Sequence, residues 1–81
     1  MTTYINELLQ DMLVTEKDYS QLSESIFNYM TKNDDSKYEF IIDAIQMLIL
    51  QQTNKFISYQ ECENMYLTIR GFQSIYEDDI I

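Results

Sequence analysis

The chain has 81 residues, one domain over 1–81, and folding at that size buries only about 60% of the unfolded surface, so its core is thin. It is 46% hydrophobic and 14% aromatic, too rich for disorder, and the lack of Pro with a single Gly71 removes the punctuation of an all-β fold. Fourteen acidic residues against five basic ones, with no His, give a net charge of −9, which excludes the basic stripe that a nucleic-acid reader or an anionic-membrane binder needs.

The N-terminus "MTTYINELLQ" lacks the basic start and apolar stretch of a signal peptide. The first segment then spaces Ile5, Leu8, Leu9, Met12 and Leu13 at i, i+3, i+4, i+7 and i+8, with Asn6, Glu7, Gln10 and Asp11 opposite. That is the spacing of a half-buried helix, predicted over 3–14. "TEKD", Thr15 to Asp18, matches a capping box and opens the second helix, predicted over 17–31. Tyr19, Leu22, Ile26, Tyr29 and Met30 share its face, with Phe27 beside them.

"SKYE", Ser36 to Glu39, is a second capping box, and it opens the most apolar run, a helix predicted over 37–52. From Tyr38 to Leu50 only Glu39, Asp43 and Gln46 are polar, and the run is too short to span a bilayer. An apolar surface this wide has two readings. Either the helix is central and wrapped by the other three, or Phe40, Ala44 and Met47 form a second face buried against another chain, as a homodimer seam or a partner groove. The third box, "SYQE" (Ser58 to Glu61), opens a helix predicted over 59–76, whose stripe is Tyr59, Cys62, Tyr66, Ile69, Phe72 or Gln73, and Tyr76, widened by Met65. Glu77, Asp78 and Asp79 would then sit at the negative end of the helix dipole, so the helix is expected to fray or end near Tyr76. Ile80 and Ile81 are expected to fold back on the core. These signals add up to an all-α domain, a small bundle of about four helices.

The acids have a plain explanation and a sharper one. Asp34, Asp35 and Glu39 suit the positive end of the third helix, where each exposed acid contributes ~0.3–1 kcal/mol. Asp43 lies beyond that field and forms with Glu39 a like-charged i, i+4 pair, destabilising by ~0.2–0.5 kcal/mol. Glu7 and Asp11 repeat the spacing. Four helical residues rise ~6 Å, close to two steps of a DNA strand at ~3.4 Å each. Such pairs present a phosphate-like pattern to a basic protein surface, or else simply solvate the helices; Glu77, Asp78 and Asp79 pose the same choice and are further candidate partner-binding acids. Tyrosine is favoured at interfaces, and Tyr4 and Tyr29, near segment ends, are the aromatic anchors chosen for such a contact.

The chemistry of catalysis is missing from the inventory. There is no His, no Gly-rich phosphate loop and no Ser or Cys nucleophile beside a candidate base. "NDDSKYEF" lacks the Gly and closing Glu of a calcium loop, and the lone Cys62 lies on an apolar stripe. No catalytic residue, cofactor or metal is expected, and the expected compartment is the cytoplasm. Abundant Ile, Asn and Tyr with little Ala, Gly or Pro fit the AT-rich genome of a low-GC bacterium, its phage or its plasmid. Two functions follow. The first is a small acidic inhibitor that blocks the basic surface of a nucleic-acid-binding host protein, of the anti-restriction, anti-CRISPR or antitoxin type. The second is a non-catalytic helical adapter or regulatory subunit that works by oligomerising.

Overall fold

The structure, a computed structural model, describes residues 2–33 and 36–80, with side chains over 3–33 and 36–72. Among these residues the fold is all-α, built from α1 (Thr2–Leu13), α2 (Ser20–Lys32), α3 (Tyr38–Thr53) and α4 (Tyr59–Ile80). No helix among them is long and apolar enough to cross a membrane.

Apart from Tyr59, the helical spacing read from the sequence is buried or half-buried over the described side chains. Ile5, Leu9 and Leu13 of α1 meet Leu22, Ile26 and Met30 of α2, Ile41, Ile42, Ile45 and Ile49 of α3, and Cys62, Met65 and Ile69 of α4 in one core. Each fully buried aliphatic side chain contributes roughly 1.5–3 kcal/mol against exposure. Neighbours in sequence pack as neighbours in space, α1 along α2, α2 along α3 and α3 along α4. The first and last helices meet through Tyr4 and Phe72, whose rings stack at 3.7 Å with planes 7° apart. Beside that stack lies an apolar cleft of about 200 Å³, where Leu8 and Met12 face Met65 and Thr68.

Helix starts depart from the capping boxes in two of three cases. Thr15 accepts a hydrogen bond from the Lys17 backbone N–H at 3.2 Å, which holds a turn instead of a helix. Asp18 accepts from the Ser20 N–H at 3.0 Å, and the Tyr19 N–H donates to Asn6 Oδ1 in α1 at 2.8 Å. An acceptor from a neighbouring helix thus replaces the local box, and α2 begins at Ser20, three residues later than predicted. Ser36 donates its hydroxyl to Asn33 Oδ1 at 3.5 Å, so α3 starts on Lys37 with no side-chain cap. Only Ser58 caps as expected, its Oγ accepting from the Glu61 N–H at 3.2 Å.

The ends of α1 and α3 are closed by left-handed residues. Asn54 has φ 59°, and its N–H reaches Leu50 O at 2.9 Å, a single-bond αL cap that asparagine tolerates well. Val14 has φ 50°, and the Thr15 N–H returns to Gln10 O at 3.4 Å, the outer bond of a Schellman cap. Lys55 adds a second closure there, its Nζ donating to Leu13 O at 3.2 Å. At the other end of the chain the backbone of α4 continues through Ile80, so the expected stop near Tyr76 does not occur, nor does Ile80 turn back. The dipole penalty of exposed terminal acids, at most ~1 kcal/mol each, is too small to end a helix of this length. The expectation for Ile81 lies outside the described residues.

Candidate functional site

The outer side of α3 is the surface where the sequence-predicted acids acquire neighbours. Its inner face is complete with Ile41, Ile42, Ile45 and Ile49, none more than 1% exposed. On the opposite side Phe40 is 61% exposed and Met47 52% exposed, with Ala44 half-buried between them. The wrapped-helix reading therefore fails, because α2 and α4 flank α3 and leave its outer face bare. Asp43 occupies that bare face, three residues after Phe40 and four before Met47, and is itself exposed, as is Glu39. Gln46, the other polar residue of the run, has a structural task. Its Nε2 donates to Ile57 O at 2.7 Å and fixes the loop that leads into α4.

That loop leads into α4 beside the edge of α3, so that Tyr59 and Glu63 of α4 come near Glu39, Asp43 and Tyr38 of α3. Tyr59, 38% exposed, has its hydroxyl pKa raised first by desolvation and then by the carboxylates of Glu39, Glu63 and Asp43. Burial, and then the acceptor and charge of Glu63, push the Tyr38 hydroxyl up to about 12. Tyr38 also meets the Tyr66 ring edge-on at 5.3 Å, while Arg70 lies 5.4 Å over that ring and donates its Nε to the Tyr66 hydroxyl at 3.2 Å. The charges of Glu39, Asp43 and Glu63 are thus all felt at the Tyr59 hydroxyl, and carboxylates and a phenol ring are the groups that receive an ammonium or guanidinium by charge-assisted hydrogen bonds and ring-face contact. Among the described residues no lysine or arginine makes an ion pair with Glu39 or Asp43.

The other predicted residues are scattered. Glu7 and Asp11 are exposed on α1, with no aromatic partner of the kind that Tyr59 gives Asp43. Tyr4 is half-buried and stacked on Phe72, and Tyr29 is half-buried against the core, so neither is a prominent outward ring. Asp34 and Asp35 lie outside the described residues. The backbone of Glu77, Asp78 and Asp79 belongs to α4, but their side chains lie outside the described residues. Sequence reasoning missed Tyr38, Tyr59 and Glu63. It assigned Tyr59 to the core stripe, although the i, i+4 spacing of Tyr59 and Glu63 on a capped helix start was a usable signal.

Among the described residues no group of His, Cys, Asp and Glu side chains is arranged to hold a metal ion. Cys62 is fully buried, and desolvation with the nearby Glu61 charge pushes its thiol up to about 11, the opposite of an activated nucleophile. Comparison with protein-family models, curated proteins and solved structures finds no match.

Proposed function

We propose that this protein is a small acidic inhibitor that covers a basic, nucleic-acid-binding surface on another protein. The observation that carries the reading is the exposed Glu39–Asp43 pair, which makes no ion pair among the described residues and whose charge, with that of Glu63, is felt at Tyr59. Acids that only solvate a helix need neither a shared ring nor a common edge. A net charge of −9 steers such a protein toward a cationic partner and away from nucleic acid itself. Inhibitors of this size and charge suit the mobile elements of low-GC bacteria, where restriction, CRISPR and toxin systems supply basic targets.

Affinity capture from a low-GC bacterial host with mass spectrometry tests this. The expected result is one basic nucleic-acid-binding protein, released as salt rises. A gel shift of DNA or RNA by the protein alone would contradict it.

A second reading is favoured by the exposure of Phe40 and Met47. In it the protein is an adapter that oligomerises through Phe40, Ala44 and Met47, with its acids serving solubility. Sedimentation at rising concentration distinguishes the two, because an apolar seam holds in high salt and a charge-steered complex does not.

A further inference from the structure

Asp43 looks misplaced in the most apolar helix only while that helix is imagined with one face. With Ile41, Ile42, Ile45 and Ile49 filling the core, Phe40, Ala44 and Met47 are surplus to it and align at i, i+4 and i+7. They form a ridge of roughly 10 Å along the outside of α3. Glu39 and Asp43 run along one flank of this ridge, and Tyr59 and Glu63 of α4 continue that flank. Two unlike surfaces therefore lie edge to edge, one apolar and one acidic. The geometry points to this composite face as the docking site for an amphipathic helix of another protein, one with apolar side chains for Phe40 and Met47 and a row of Lys or Arg for Glu39, Asp43 and Glu63.

Charge decides against a second copy as the occupant. An antiparallel two-fold pairing of α3 centred on the ridge sets Phe40 against Met47 of the other copy and draws the two Asp43 carboxylates together. Each molecule already carries −9. A basic helix offers the same apolar burial and complements the acids instead of repelling them. The inference rests on the reading that the acids receive a basic partner, and adds where and through what shape.

Three synthetic peptides of about 18 residues, long enough to span the ridge, test it by titration into the ¹⁵N-labelled protein. One is an amphipathic Leu/Lys helix, one carries the same apolar face with Gln in place of Lys, and one is oligolysine. The Leu/Lys helix should bind tightest and shift the amides of 39–47 and 59–63. The double variant Phe40→Gln with Met47→Gln, and separately Asp43→Lys, should each weaken it roughly tenfold at low salt, with the melting temperature unchanged. Shifts centred on Glu7 and Asp11, or affinity unmoved by the Phe40 and Met47 changes, would overturn the docking face. Oligolysine binding as tightly as the Leu/Lys helix would also overturn it, yet leave the acidic-inhibitor reading standing. Failure of both basic peptides to bind would remove both. A dimer that the Phe40 and Met47 changes dissolve would show that a second copy covers the ridge.

Discussion

Val14 ends α1 in a conformation that its side chain resists. It lies at φ 50° and is 87% exposed, so its branched Cβ suffers the left-handed backbone and packs on nothing in return. Val14→Gly should raise stability by about 1 kcal/mol, the αL penalty less the entropy glycine adds to the unfolded chain. Urea denaturation of the two proteins checks this, and an unchanged midpoint would show the strain to be absent. Ser23 is the other residue at odds with its place. It is fully buried, and its hydroxyl has no hydrogen-bond partner. Ser23→Ala removes an orphaned polar group and improves helix propensity, so it should stabilise by about 1 kcal/mol in the same assay. Neither site was legible in the sequence. Valine is the residue least expected at a helix-ending turn, and Ser23 sits beside Leu22 on a stripe whose spacing says nothing about missing hydrogen bonds. Asp43 was legible, because a charge two turns into an apolar run must face outward or find a partner.

Helix existence followed from periodicity, whereas helix starts depended on contacts that periodicity does not contain. A capping box is a pattern of four residues, and Thr15 to Asp18 has the right letters. The acceptor that reaches the start of α2 nevertheless belongs to Asn6, thirteen positions back, and no local pattern reports it. Ser36 likewise turns toward Asn33 at the end of the preceding helix. Substitution separates these cases. Ser58→Ala removes a working cap and should cost about 1 kcal/mol, whereas Ser36→Ala should change stability by only a few tenths, at most ~0.5 kcal/mol. Thermal melts of both variants decide it, and equal losses would mean that Ser36 caps α3 after all. The composite face shows the same division. Glu39, Asp43, Phe40 and Met47 could be read from one helix, but Tyr59 and Glu63 join them only because Gln46 holds the connecting loop.

On the scale of the whole molecule, alkaline pH should weaken the fold through the protons that folding holds on Cys62, Tyr38 and Tyr59. The Cys62 thiol is raised from its ordinary 9.0 to about 11, and the Tyr38 hydroxyl from 10.0 to about 12. A raised value in the folded state means that the unfolded chain releases the proton first. Both contributions are complete below about pH 9 and decline as pH rises, the thiol's through about 11 and the phenol's through about 12. Denaturation midpoints should therefore be flat near neutrality and fall steadily above about pH 9. Cys62→Ala should flatten the first part of that fall; a midpoint slope unaltered by it would assign the alkaline loss elsewhere.

The cleft between α1 and α4 places thioethers on both sides of the same seam. Met12 of α1 is half-buried there, and Met65 of α4 lines the opposite wall, while Met30 is wholly enclosed. Among the described methionines, dilute peroxide should consequently convert the exposed Met47 first, the half-buried Met12 next, and the buried Met65 and Met30 last, an order that peptide mass spectrometry reads directly. The second step matters most. A sulfoxide is polar and bulkier, so once formed on Met12 it no longer fits the cleft that Leu8 and Met65 also line. The first helix would then lose part of its packing on α4 while keeping its core residues Ile5, Leu9 and Leu13, the Tyr4–Phe72 stack and the Lys55 bond. Among the described residues, oxidative damage to the packing thus starts at the seam between α1 and α4.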